Sequence, residues 1–341
     1  MNVSREIQKV RMVRPHVVIL GAGCSKAAVP QGDANGMRLP LMDDFLDVVR
    51  PVKDALQSTG VPLDGKNFEE IYSSLVAVNH SDVQNRVESL IFGYFEALSL
   101  PNEPTLYDHL LLSLREKDVI ATFNWDPFII QALRRNPLLS GRPPQFRFLH
   151  GNVMVGFCER DAIQGYAGTF CQCCAKRLAR SRLLYPVAEK DYESDPMIAA
   201  SWKQLRLDLK DAFMVTVFGY GAPVSDKAAT SLMQEALGSP IQNQLKLFEI
   251  IDIKTHEKLL ETWEPFIKSY KYHYKIHQDF YCSYIARHPR RTGEAYIDQY
   301  LNGTWICDNP VPRELSFTDL WEWTKPLLEA ENLAEPSARR E

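Results

Sequence analysis

Four short runs of the sequence carry side chains and spacings suited to chemistry on a nucleotide. The first is Gly21-Ala22-Gly23-Cys24-Ser25. Its small residues let the backbone approach a pyrophosphate, and a helix opening there would supply amide donors. The third glycine of the usual dinucleotide fingerprint is absent, since position 26 is Lys. A tight strand–helix turn explains the same residues. A side chain at Gly23 is expected to block a pyrophosphate while sparing the fold. The second run, Thr122-Phe123-Asn124-Trp125-Asp126, puts a carboxamide and a carboxylate two residues apart. Asp126 before Pro127 also makes a good helix start, whereas Asn124 has less structural reason to be there. The third is Leu149-His150-Gly151, whose imidazole can titrate near neutrality and act as a base. The fourth is Gly219-Tyr220-Gly221 with Ser225 and Asp226, and Asp252 follows further on.

A second chemistry is available in the cysteines. Cys158, Cys171, Cys173 and Cys174 fall in one short window, while Cys24, Cys282 and Cys307 stand alone. Cys171 and Cys174 have the x-x spacing of a thiolate pair, and Cys158 with Asp161 adds a thiolate and a carboxylate. Those four would make a tetrahedral structural zinc site; a reduced, partly buried thiol cluster is the alternative.

These residues must be held by elements that alternate. His16–Leu20, Val119–Phe123, Phe146–Leu149, Phe213–Phe218 and Leu245–Ile253 read as strands, the last with Asp252 near its end. Pro127–Arg135, Pro196–Ala212 and Asp226–Leu237 read as helices between them. The fold class is therefore α/β: a Rossmann-like, mostly parallel sheet with helices on both faces. Gly21, Asn124, His150, Gly219 and Asp252 all sit at strand ends, where ligands bind in such sheets. Residues 41–114 are helical in pattern. After Thr255 the pattern changes: Tyr270, Tyr272, Tyr274 and Ile276 alternate with polar residues as a half-buried strand would. Tyr281–Leu301 looks helical, Leu315–Ala330 makes a final helix, and the tail after Asn332 is expected to fray.

The 341 residues contain 39 Lys and Arg against 43 Asp and Glu, a net charge of -4. That balance excludes a bulk electrostatic grip on nucleic acid. The apolar run near the start stops at Gly21, too short for a signal peptide or a membrane span. A cytoplasmic location is expected, with the cysteines as thiols or metal ligands. The tryptophans Trp263, Trp305, Trp321 and Trp323 read as core. Arg287, His288, Arg290 and Arg291 read as a solvated basic spot.

Taken in order, the glycine turn after Val18-Ile19-Leu20, the Asn124–Asp126 run, Leu149-His150-Gly151, and Val217–Gly221 with Ser225-Asp226 resemble the sirtuin-type NAD-binding family. The resemblance covers roughly residues 16–256, with 41–114 as a helical insertion. It implies a domain of residues 1–256, with a cysteine-rich module at about 151–186 where the family's deacylases keep a four-cysteine zinc site. The segment 257–341 would be an extension packing on that domain or at an interface. It further implies that Gly21, Ala22, Gly23, Ser25, Gly219, Tyr220, Ser225, Asp226 and Asp252 hold NAD+. Asn124 would lie near the nicotinamide ribose and the attacking water, Asp126 would bind the carboxamide, and His150 would contact the ribose and act as base. Departures from the deacylase motifs, such as Phe123-Asn124-Trp125-Asp126 for Gln-Asn-Ile-Asp, point to the family's antiviral-defence branch. Its members hydrolyse NAD+ to nicotinamide and ADP-ribose, under control of assembly or of a co-encoded ATPase or nucleic-acid-guided partner. The alternatives are a protein deacylase or ADP-ribosyltransferase, and a non-catalytic NAD- or ADP-ribose-sensing subunit. A homo-oligomer is expected.

Overall fold

Strands that are apolar along their whole length must be covered on both faces, which is the condition of a parallel sheet inside an α/β layer. The computed structural model describes residues 3–57, 63, 65–77, 81–187, 190–222, 226–238, 246–270 and 273–338. Its main sheet has six strands: β1 (His16–Leu20), β2 (Val119–Thr122), β3 (Gln145–Phe148), β7 (Met214–Phe218), β8 (Leu247–Ile251) and β9 (Tyr274–His277). They lie in the order β3-β2-β1-β7-β8-β9, and every pairing is parallel. All residues of β1, β7 and β8 are buried. Counted within the sheet alone, the order is 3-2-1-4-5-6, that of a doubly wound dinucleotide-binding fold, with its switch point between β1 and β7. A second, antiparallel sheet, β5-β4-β6, is built from β4 (Val155–Cys158), β5 (Ile163–Tyr166) and β6 (Ala179–Arg180).

The helices are α1 (Val3–Ile7), α2 (Ala22–Ala28), α3 (Phe45–Val48), α4 (Arg50–Gln57), α5 (Phe68–Ala77), α6 (Ser81–Glu96), α7 (Leu106–Leu112), α8 (Phe128–Arg135), α9 (Pro196–Asp211), α10 (Lys227–Leu237), α11 (His256–Tyr270), α12 (Tyr284–Arg287), α13 (Thr292–Tyr296) and α14 (Phe317–Ala338). Among the described residues none is long and apolar enough to cross a membrane. Two of their starts position the site. The Thr105 side chain and Asp108 form a capping box that begins α7 and places Tyr107. Asp195 accepts from Met197 N–H and Ile198 N–H, both at 3.0 Å, with Pro196 at the first helical position; this begins α9 and places Trp202. Helices α3 to α6 bury Phe45, Phe68 and Phe95 into the main core, and Phe45 stacks on Phe68 at 4.2 Å.

Four polar residues interrupt the apolar sheet and find one another across it. His16 on β1 lies 2.8 Å from Thr216 on β7, and Thr216 donates to Glu249 on β8 at 2.9 Å. His277 on β9 reaches within 3.1 Å of the same carboxylate. Thr216 has one hydrogen, which goes to Glu249, so His16 Nε2 must be the donor in its contact. Burial pushes His16 down to about 4, despite Asp118 and Glu249 nearby. Burial acts to raise the Glu249 carboxyl, but His277 and the Tyr284 N–H hold it below its ordinary value.

Three expectations are corrected. The tail does not fray at Asn332, because α14 continues to Ala338. The basic spot is not a solvated face: His288, Arg290 and Arg291 are buried, with both arginines paired to Glu331 and His288 to Glu6. Burial of those cations is sustained by carboxylates brought from both ends of the chain. Trp305 is 84% exposed rather than core. The sheet also continues past residue 256, since β9 pairs with β8. Tyr272 lies outside the described residues.

Candidate functional site

The switch point between β1 and β7 is where the two glycine turns meet. Gly21 N–H donates to Phe218 O at 3.0 Å, and Gly23 N–H to Gly219 O at 2.9 Å. A Cβ on Gly21 would stand 2.5 Å from Tyr220 Cα, and one on Gly23 2.8 Å from Gly219 Cα. Gly219 has φ +61°, and its Cβ would fall 2.2 Å from Cys24 N. The glycines are thus required by backbone lying on backbone. The expectation that bulk at Gly23 spares the fold is corrected, because that position has no room for a side chain.

Below the turn lies a buried network. Ser25 Oγ donates to Asp126 Oδ2 at 2.6 Å and lies 2.6 Å from Tyr107 OH. Asn124 Nδ2 donates to Gly21 O and to Ser25 Oγ, each at 2.9 Å. Among the described residues nothing donates to Asn124 Oδ1, which stays available as an acceptor. Asp126 Oδ1 also accepts from Phe128 N–H at 3.2 Å, so it helps to start α8 as well. Burial pushes the Asp126 carboxyl up to about 6, against the bonds from Ser25 and Phe128.

His150 forms a second group. Gly151 follows it with φ +78°, and a Cβ there would meet Arg182 O at 1.9 Å, so only glycine turns the chain away. The imidazole stacks on Tyr192 (5.9 Å, 17°) and meets Phe123 edge-on (4.8 Å, 79°). Phe123 in turn stacks on Tyr220 at 4.1 Å. Nε2 of His150 is buried without a hydrogen-bond partner, 3.9 Å from Asp226 Oδ1. Asp226 is ion-paired with Lys190 and accepts from Tyr220 OH at 2.9 Å. Burial lowers the His150 pKa to about 3; Asp226 opposes the shift and Lys190 adds to it. In this closed arrangement the imidazole is neutral at pH 7.

Asn124, Asp126 and Ser25 are therefore one hydrogen-bonded group, and Tyr220 and Asp226 another, which His150 faces without a bond. Phe123, next to Asn124, packs on both His150 and Tyr220. Ala22 is half-buried. Asp252 accepts from Lys254 N–H at 3.0 Å, and no hydrogen bond among the described residues joins it to either group. Ser225 lies outside the described residues. Lys190, Tyr192 and Tyr107 were not singled out by sequence reasoning. Only Tyr107 had a signal there, the Thr105-x-x-Asp108 helix start.

The cysteine module supplies a third group. Cys158 ends β4, Asp161 lies in the β4–β5 turn, and Cys171 and Cys174 follow β5. Ligand atoms of all four lie within 4.8 Å of one another. The Cys158 and Cys171 sulfurs are 3.4 and 3.2 Å from Asp161 Oδ2, and the Cys158 and Cys174 sulfurs are 3.5 Å apart. A tetrahedron of ~2.3 Å zinc–sulfur bonds has edges of about 3.8 Å, so these residues fit a structural zinc. The Asp161 carboxylate raises the Cys174 thiol to about 12, and the Cys174 and Cys171 thiols hold Asp161 low. A cation among them would replace that shared-proton arrangement with charge compensation. Cys173 is exposed.

No protein-family model matches the sequence, and no curated protein matches it. Solved structures similar to the chain carry the Sir2 or sirtuin name. A Sir2 homologue–NAD complex is 12% identical with a TM-score of 0.41, covering 88% of this chain and 92% of its own. A Sir2 bound to acetylated peptide is 13% identical with a TM-score of 0.36, covering 86% and 94%. A structure described as giving the structural basis of sirtuin substrate affinity is 16% identical with a TM-score of 0.38, covering 78% and 90%.

Proposed function

We propose that the chain is an NAD+ glycohydrolase that cleaves the nicotinamide–ribose bond, giving nicotinamide and ADP-ribose. The observation that carries this reading is a pair of open acceptor atoms on two neighbouring loops. They are Asn124 Oδ1, with no donor among the described residues, and His150 Nε2, buried with no partner. They come from the loops after the adjacent strands β2 and β3. The Asn124 oxygen can orient a water, and the imidazole can accept its proton as the water adds to the ribose carbon. Asp126 is suited to the nicotinamide carboxamide. As the bond breaks, its electron pair leaves with nicotinamide, and the transient oxocarbenium-like charge falls among carboxylates and amide dipoles. The cysteine module, with zinc bound, holds the chain that follows His150. Timed nicotinamide release by the purified protein, alone and with the co-encoded partner, tests the reading, and a folded, metal-loaded protein that releases none in either state overturns it.

The sequence resemblance extends the proposal to a regulated effector that depletes NAD+ in antiphage defence, beside a co-encoded partner. Tyr300, Leu301 and Trp305, exposed on one stretch of chain, are suited to the homo-oligomer or partner contact this requires. Light scattering checks the first, and NAD+ levels in infected cells with and without the neighbouring protein check the second. One observation favours a non-catalytic NAD-sensing subunit instead: both Asn124 amide hydrogens are already spent inside the protein. Binding without nicotinamide release would identify that case.

A further inference from the structure

Tyr192 has His150 on one side and an open cavity on the other. The cavity is about 660 Å³ and is lined by Lys190, Tyr192, Trp202, Lys203, Arg206 and Leu232, among others. Tyr192 contributes its ring to both places: it stacks on the imidazole and packs against Trp202 at 4.9 Å. Its hydroxyl is buried and has no hydrogen-bond partner among the described residues, none of which therefore holds the side chain by a polar bond. What fixes the segment is Lys190, two residues away, whose ammonium is paired with Asp226; both side chains are 4% exposed. Asp226 is the carboxylate that His150 Nε2 faces. We propose that Lys190 and Tyr192 form an autoinhibitory latch, in which the Lys190–Asp226 pair holds the Tyr192 ring over His150 and turnover requires both to swing toward the adjoining cavity.

The proposal rests on reading His150 as the reacting group. The latch accounts for two features at once. A base held near pKa 3 takes up protons poorly, and the causes are burial and the Lys190 charge. Moving Lys190 and Tyr192 removes the Lys190 charge and part of the burial, and leaves Asp226, which favours the proton. A substrate with vicinal hydroxyls, a ribose, would then donate to the carboxylate that Lys190 had occupied and to the orphaned Nε2. The cavity gives the displaced ring somewhere to go without disturbing the core.

The test reads accessibility of His150 without any substrate, by carbethoxylation with diethyl pyrocarbonate followed by peptide mass analysis. In the wild type, modification should be slow yet faster than exchange of core-strand amides in β1 and β7. Lys190→Met should raise the rate by at least ~5-fold, since a latched fraction suppresses every reaction of the open form in proportion. Lys190→Arg, which keeps the ion pair, should stay slow. Equal rates in the wild type and a folded Lys190→Met protein would overturn the latch. So would wild-type modification only at the rate of global unfolding, a measurement that does not depend on any variant folding. If Lys190→Met exposes His150 and neither protein releases nicotinamide from NAD+, the latch stands and the hydrolase reading falls.

Discussion

The glycine turns and the cysteine module both carry a ligand-binding signature, and the chain has treated them in opposite ways. At the switch point the protein fills the ground with its own atoms: Gly219 lies on Gly21 and Gly23, and Lys190 and Tyr192 cover His150. In the module four donor atoms face one another within 4.8 Å, a gap of metal size. Part of what makes glycine necessary at a nucleotide-type turn is therefore intramolecular. Cysteines converging at coordination distance have no comparable internal explanation. Damage at the first region should propagate through the core, whereas damage at the second should stay local, since Cys158 and Cys171 sit with Leu178 in a small cluster of their own, with Ile163 and Cys174 packed against it.

The largest effect should separate chemistry from structure inside the crevice. His150→Ala and Asn124→Ala are each expected to lower NAD+ cleavage by ~10²–10⁴-fold, the scale of a positioned acid–base group. His150→Ala should cost about 2–4 kcal/mol through the cavity it leaves against Tyr192 and Phe123, although among the described residues Nε2 has no hydrogen bond to lose. Asn124→Ala should also cost stability, about 1–3 kcal/mol, by removing donors to Gly21 O and Ser25 Oγ. Full activity in either folded variant removes that residue from the mechanism.

Next comes the backbone contact. Gly219→Ala places a methyl 2.2 Å from Cys24 N at a positive φ, so a loss of more than about 4 kcal/mol is expected in urea unfolding. A loss below ~1 kcal/mol would show that the two turns can separate, and the contrast with the module would collapse.

Acid should act on the buried histidines, His150 of the crevice among them. Burial holds His150 at about 3, and His16 and His109 at about 4. Each is neutral in the folded chain but takes a proton near 6.5 once unfolded. Their contribution is complete above pH 6.5 and is lost as pH falls toward 4 and 3. Asp126, raised to about 6, works the other way: it favours the fold most below about 4 and loses that contribution as pH rises through 6. Three groups outweigh one, so stability should fall between pH 6.5 and 4. For His150→Gln that slope should flatten by on the order of 3–4 kcal/mol. An unchanged slope would mean that His150 is solvated in solution, not closed in.

The smallest global effect is expected in the module. Elemental analysis should give about one zinc per chain, by the four-ligand rule. Chelation or Cys174→Ser should speed proteolysis within residues 155–180 while shifting the main melting transition by only a few degrees. Loss of the whole fold on chelation would erase the difference between the two regions.

Much of the frame was legible in the sequence because its signals are local. Val17–Leu20 and, but for Thr216, Phe213–Phe218 are apolar runs ended by glycine, and the four candidate metal donors lie within seventeen positions of one another. What was not legible depends on residues distant in sequence. Lys190 has no motif; its meaning comes from Asp226, and the pair forms only when the β6–α9 and β7–α10 connections meet. Arg290 and Arg291 looked like surface because Glu331 lies some forty residues on. The end of α14 was missed because Pro336 and the polar residues around it suggested a frayed tail.

The polar line His16–Thr216–Glu249–His277 binds the sheet's evolutionary options together. His16, Thr216 and Glu249 answer one another's hydrogen-bonding demands, and His277 lies 3.1 Å from the Glu249 carboxylate, so a change within the line strands a polar or charged neighbour between apolar strands. His16, Thr216 and Glu249 should therefore drift as one unit. Each single replacement should be costly, whereas apolar replacement of the set, matched in volume, should cost far less than the sum. Double-mutant cycles should find coupling of about 1–3 kcal/mol between neighbouring strands, and homologues should hold either the whole line or none of it.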